Sequence, residues 1–358
     1  MPAAEALAAL LSGPSAPPGA VVAVAGPDGR ELATGGLTRP GGEAVTGRTR
    51  FDLASVTKVV TTCALHRLAV LSELALDDPV SRWLPGTSCA TGTTLVDLLQ
   101  HRAGLWEWQP LYLAADPLDA LLSLPPRYLP RQGRHYSDLG FMLLGRVVAS
   151  VTGTSLSEAV RTLVAEPLGL GLTYGPVDGD VAAGGIGDEV EQTMVSTGKP
   201  YPVLFSDAGF RWREAVTVGE ANDGNAVHAF GGVSGHAGLF GTADDLLTLA
   251  SSLADPEADG LWGTSVRDQV FADGQDAGQA LGWRSEVLRG DRPERMLWHP
   301  GFTGCAVGLV PGRRRAIVMM TNRLLAAEPA LTADLWARVL DTLQPGRTAG
   351  EDADDDPS

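Results

Sequence analysis

The stretch Phe51-Asp-Leu-Ala-Ser-Val-Thr-Lys58 decides how the rest of this chain reads, because Ser55 and Lys58 stand three residues apart at the start of a long apolar-periodic run. In a helix that spacing puts both side chains on one face of the first turn. A serine hydroxyl is a poor nucleophile until a neighbouring base takes its proton, and a lysine can do so where burial lowers its pKa. The helix N-terminus adds free backbone N–H groups and the positive end of a dipole, which suit a carbonyl oxygen turning negative. Alone, the same four residues also read as a capping serine followed by a solvated lysine. Composition weighs against that reading. Of 27 basic residues only Lys58 and Lys199 are lysines, and arginine, which stays protonated, could not act as a base.

The chain has 358 residues and is 44% hydrophobic, enough for a large core in one big domain or two interleaved ones. Its net charge of −16 argues against nucleic acid and anionic membrane surfaces as partners. Part of that charge is the run Glu351-Asp-Ala-Asp-Asp-Asp356, which reads as a solvated, disordered end over 346–358. Cys63, Cys89 and Cys305 are scattered, so neither a disulfide framework nor a zinc site is expected, and a reduced, cytoplasmic setting fits best. There is no basic n-region at the start and no run approaching a transmembrane span, which reads as a soluble, non-exported protein.

Outward from Ser55, residues 3–11 read as a helix, and Ala20-Val-Val-Ala-Val-Ala25, Gly-Pro-Asp-Gly29 and Arg-Glu-Leu-Ala-Thr34 as strand, tight turn, strand. Short helices alternate with turns from Asp77 to Leu99. His101 reads as a histidine bonded to loop backbone near a helix end. Trp106 and Trp108 either line a pocket or cover a loop. Tyr136-Ser-Asp138 opens an apolar helix, where Ser137 or Asp138 is a natural N-cap. The segment 173–226 has no clear period, so it is expected to supply substrate walls, with Tyr201, Phe205, Phe210 and Trp212 as candidates. Gly231-Gly-Val-Ser-Gly-His-Ala-Gly238 is neither a nucleophile elbow nor a phosphate-binding loop, and no cofactor is expected. From Leu281 to Thr321 short apolar runs separated by turns read as antiparallel strands, and residues 331–343 as a closing helix.

The order of three motifs discriminates: Ser-x-x-Lys at Ser55 and Lys58, Tyr-Ser-Asp at Tyr136 to Asp138, and His-x-Gly at His299 to Gly301. With the segments Leu98-Leu-Gln-His-Arg-Ala-Gly-Leu105 and His299-Pro-Gly-Phe-Thr-Gly304, the chain closely resembles the serine beta-lactamase and penicillin-binding protein superfamily, above all its class C-like branch of esterases, D-amino-acid peptidases and transacylases. The resemblance implies an α+β fold, with an antiparallel sheet built from both chain ends (1–65 and 275–345), flanked by helices, and a large mostly helical insertion (66–274). It implies Ser55 as nucleophile, Lys58 as its proton acceptor and Tyr136 as proton shuttle. His299 would replace the third-motif lysine and contact substrate, and the N–H groups of Ser55 and Phe302, beside Gly301, would form the oxyanion hole. Asp138 departs from the commoner Asn, an acceptor-only carboxylate that raises the pKa of Lys58. Trp106 and Trp212 complete the expected substrate-binding set.

The function expected is acyl-enzyme chemistry on a small ester or amide by a monomer. Transfer to water makes the protein an esterase, peptidase or beta-lactamase. Transfer to an amine or alcohol acceptor makes it a nucleotide-independent transacylase. A binder that is acylated without turnover is a further class, and a metal hydrolase using His228 and His236 is the weakest reading, since no metal-ligand spacing is seen.

Overall fold

The computed structural model describes residues 2–288 and 293–343, so the acidic run at 346–358 lies outside the described residues. Its frame is a seven-stranded sheet in the order β2-β1-β10-β9-β8-β7-β6. The strands are β1 (Gly19–Gly26), β2 (Gly29–Gly36), β6 (Gln279–Ala280), β7 (Trp283–Leu288), β8 (Glu294–Pro300), β9 (Ala306–Val310) and β10 (Arg315–Thr321). All of the pairings are antiparallel. The N-terminal hairpin joins the C-terminal strands through β1 and β10, with Ala20 opposite Thr321 and Ala25 opposite Ala316. Both chain ends therefore build one sheet, as expected from the alternating runs at the two termini.

The apolar stretch of β1 is nearly continuous because both faces of the strand are covered. Val21 and Ala23 face the main core, and Ala20 and Val22 face a second cluster formed with helix α1 (Pro2–Leu10) and the closing helix Thr332–Leu343. The helix Ala243–Ala254, which falls inside the region read as a helical insertion, packs instead on β1, β9 and β10. One hydrophobic cluster runs from the sheet into the Ala243–Ala254 helix without a break.

At the centre is α2 (Thr57–Val70), whose residues from Thr57 to Leu65 are all buried. A helix apolar on every side belongs in a core, and burying each Val or Leu there contributes about 1.5–3 kcal/mol. Its polar members are paired rather than exposed: Thr61 donates to Gly235 O at 2.7 Å and Thr62 to Lys58 O at 2.8 Å. Against it packs α3 (Asp138–Thr152), capped by Ser137, whose hydroxyl accepts the Gly140 N–H at 3.1 Å. A small sheet, β3 (Phe51–Asp52), β5 (Leu239–Gly241) and β4 (Thr173–Tyr174) in that order, ties the entry to α2 to the glycine-rich segment. Among the described residues no single helix is long and apolar enough to cross a membrane.

Candidate active site

Ser55 sits in a 3-10 turn, Ala54–Val56, that leads directly into α2. Its entry is strained: Ala54 has φ +44°, a region that L-residues avoid and that recurs at functional sites. Asp52 holds this turn. Its carboxylate accepts the Ala54 N–H at 2.8 Å and both the backbone and side-chain N–H of Asn222, at 2.7 and 3.0 Å. Burial pushes the Asp52 carboxyl up, against the pull of these hydrogen bonds. Asp52 lies in the quoted stretch yet carried no expectation of a role, because its partner Asn222 is 170 residues away.

One helical turn on, Lys58 is fully buried, and its Nζ lies 2.7 Å from Ser55 Oγ and 2.7 Å from Asp138 Oδ1. Nζ also reaches the His236 carbonyl at 3.4 Å. Burial alone would drive the charge off Lys58; Asp138 and the Tyr136 oxygen outweigh it and hold the ammonium above the ordinary lysine value. The lowered pKa that burial alone would give Lys58 is thus not found, and the Asp138 carboxylate raises it instead, as the departure from Asn at that position implied. Tyr136 stands at the α3 entry, with Lys58 Nζ 5.0 Å from its ring centroid. Its hydroxyl is buried beside the Lys58 ammonium, where proton exchange between the two is short-range.

These groups open onto a cavity of about 520 Å³ lined by Ser55, Tyr136, Asp138, Trp108, Tyr201 and Phe302, among others. Phe302 follows Gly301 in the turn after β8. The N–H groups of Ser55 and Phe302 have no acceptor among the described residues. Gly301 is required here: a Cβ would lie 2.4 Å from the Leu53 carbonyl, so only glycine lets this turn close on the nucleophile's segment.

Three expected substrate contacts are placed elsewhere. His299 is 2% exposed, bonds the Pro300 carbonyl through Nδ1 at 2.7 Å and does not line the cavity. Burial, with Lys58 and Arg284 nearby, keeps it well below the ordinary histidine value, so it is neutral and offers no cation. Trp106 covers a loop, its indole N–H donating to Pro125 O at 3.0 Å under the Arg127 guanidinium, while Trp108 takes the pocket position. Trp212 stands one layer behind the wall, edge-on to Tyr112, whose hydroxyl donates to Glu191 at 2.7 Å. Phe205 and Phe210 likewise do not line the cavity. His101 accepts the Ser137 N–H through Nδ1 at 3.0 Å, the backbone role its sequence context suggested.

The segment 173–226 does supply walls, as expected, with Tyr201 among them, although its other lining residues were not singled out individually. Helix α4 (Glu189–Thr197) supplies Glu189, Val190, Glu191 and Met194. Arg323, after β10, donates to the Phe302 carbonyl at 2.7 Å and lines the cavity, and burial lowers the pKa of its guanidinium to about 10. Asp138, Asp223 and His236 bring their ligating atoms within 4.8 Å of one another, a grouping able to hold a cation. The Lys58 ammonium, 2.7 Å from Asp138, already supplies positive charge there. The histidines of the metal reading are divided between carboxylates, His228 on Asp188 at 3.0 Å and His236 on Asp223 at 2.9 Å.

A Ser-Lys pair at a helix entry beside a Tyr, packed on strand β8 of an antiparallel sheet built from both chain ends, defines the serine beta-lactamase and penicillin-binding protein class. The chain belongs to the beta-lactamase family, whose model matches residues 7–341. It is 29% identical over 323 residues to a putative D-alanyl-D-alanine carboxypeptidase of Escherichia coli strain K12, covering 78% of this chain and 70% of that protein. It is 30% identical over 310 residues to an N-acetylmuramyl-L-alanine amidase of Bacillus subtilis strain 168, covering 77% and 68%. The fold is similar to that of a class C beta-lactamase from Rhodobacter sphaeroides, at TM-score 0.72 and 24% identity over 96% of this chain and 99% of the other.

Proposed function

We propose that this protein is a serine acyl-enzyme hydrolase of small carboxylic esters or amides, with Ser55 as the nucleophile. The observation that carries the reading is the 2.7 Å contact between Ser55 Oγ and Lys58 Nζ at a cavity that Ser55 and Tyr136 both line. Ser55 attacks the carbonyl as its proton passes to Lys58, and Lys58 passes one of its own to Asp138. The pair then reprotonates Tyr136 as the tyrosine hydroxyl protonates the leaving group, so the serine proton is balanced by the one the leaving group gains. The N–H groups of Ser55 and Phe302 hold the oxyanion. The names of the Escherichia coli and Bacillus subtilis relatives support amides as one substrate class.

Steady-state hydrolysis of p-nitrophenyl esters and of D-alanyl anilides tests this. Ser55→Ala is expected to lower kcat by at least about 10³-fold, and Tyr136→Phe by about 10²-fold or more. Wild-type turnover by folded Ser55→Ala would refute the assignment. Product analysis with added amines separates hydrolysis, which yields the acid, from transacylation, which yields the amide.

A further inference from the structure

The cavity wall carries a second proton-handling set that the acylation step does not use. Asp223 lines the cavity, and its Oδ1 accepts the Ala226 N–H at 2.7 Å and meets His236 Nε2 at 2.9 Å. Oδ2 has no protein donor among the described residues. His236 is 1% exposed, and its Nδ1 lies 2.8 Å from the buried Ser234 hydroxyl. When Ser234 donates to Nδ1, the ring proton sits on Nε2 and points at Asp223. The imidazole is thus fixed at both ends, as a ring that orients a carboxylate should be. The glycine run places it there: a Cβ on Gly235 would lie 2.2 Å from the Phe141 carbonyl, so only glycine brings this loop onto α3.

We propose that Asp223 is the general base of the second half-reaction, taking the proton of the acceptor as it attacks the Ser55 ester, with His236 as the positioning residue that aims it. The proposal rests on the acyl-enzyme reading above. A water or amine X–H forms the C–X bond, its proton goes to Asp223, and the C–Oγ bond breaks. The Lys58 ammonium reprotonates Ser55 Oγ, and the proton held by Asp223 returns to Lys58 by way of a solvent water and Asp138, one of whose oxygens lies within 4.8 Å of one oxygen of Asp223. Two features suit Asp223 to the task. It faces the same cavity as Ser55 with a free oxygen, and it is ionised: burial would raise its pKa, but the His236 contact and the Ala226 N–H together hold it below the ordinary carboxylate value.

The test is stopped-flow hydrolysis of p-nitrophenyl acetate by wild type, Asp223→Asn and His236→Gln, with intact-protein mass recorded during turnover. Asn keeps the Ala226 cap and the volume but cannot take a proton. Asp223→Asn is expected to release about one p-nitrophenolate per enzyme at near the wild-type acylation rate. It then turns over about 10²-fold more slowly while the acetyl adduct persists, and hydroxylamine, which needs no base, restores release. His236→Gln gives the same split with a smaller loss, which keeps the question answerable should Asp223→Asn not fold. Acylation and turnover falling together, an unchanged turnover, or loss of wild-type turnover on EDTA treatment would each overturn the proposal. Failure of the acyl-enzyme reading looks different: wild type itself would form no Ser55-dependent adduct.

Discussion

Lys58 keeps a charge although its own side chain has no exposed surface, and the carboxylate of Asp138 is the reason. Because the folded pKa lies above the unfolded value, the stability this pair contributes is complete below about pH 10. It is lost only as pH rises through the folded value. In Asp138→Asn the burial of Lys58 is no longer offset, so the folded pKa falls below the unfolded one and the sign reverses. Chemical denaturation between pH 6 and 10 is expected to show wild type more stable by about 2 kcal/mol or more at the acid end, with the gap narrowing as pH rises. A gap independent of pH would mean that Asp138 does not hold the lysine charge. Gly301 makes a separate prediction at this scale. Its substitution by Ala would press on the Leu53 carbonyl and move the Phe302 N–H, lowering kcat for a p-nitrophenyl ester about 10²-fold with a small change in KM; equal kcat would remove Phe302 from the oxyanion site.

The site is assembled where α2, α3 and the glycine-rich segment meet, and the tightest of these contacts is backbone on backbone. Gly235 lies against Gly145 of α3, where a Cβ on Gly235 would be 2.8 Å from Gly145 Cα. Gly235→Ala is therefore expected to cost about 3 kcal/mol in urea denaturation and to lower activity, since the same loop carries the His236 carbonyl that Lys58 reaches; an unaffected midpoint would show that the helix can shift. The glycines were visible in the sequence, but their partner was not, because Gly145 sits 90 residues earlier inside an apolar helix. The N-terminal hairpin, the strands from Trp283 to Thr321 and the α2 and α3 helices were legible for a simpler reason: each is strongly patterned and bounded by its own turn or cap, unlike the two- and three-residue strands β3 to β6. Helix α4 was not, since Glu189-Val-Glu-Gln-Thr-Met-Val195 has no wide apolar stripe and only tertiary placement makes it a wall.

Across the whole molecule, Ser55, Lys58, Tyr136 and Phe302 were legible as a set because three short motifs recur in a fixed order. The cavity around them was legible only in outline, as walls from 173–226, because the individual side chains of loops and element ends face inward only once the fold closes. Trp106 and Trp108 illustrate this: two like residues, two positions apart, one bonded to a loop carbonyl and one lining the cavity. His299 illustrates a second limit, since its motif position was readable but its burial away from the cavity was not. The wall is also acidic, and this has a consequence for the protein as a whole. Burial and the Asp223 charge push the Glu191 carboxyl up to about 8. A carboxyl raised on folding penalises the folded state fully above that value and not at all below its unfolded value near 4. The stability difference between Glu191→Gln and wild type is therefore expected to be greatest above pH 8 and to shrink as pH falls toward 5. A difference that grew on acidification would place the Glu191 charge in a favourable pairing instead.

The acyl-enzyme itself is the central claim, and peptide mapping of the protein quenched during turnover of an activated ester addresses it most directly. The account predicts an acyl mass shift on the peptide containing Ser55, absent in folded Ser55→Ala. An acyl group on another residue, or an equal shift in both proteins, would contradict it.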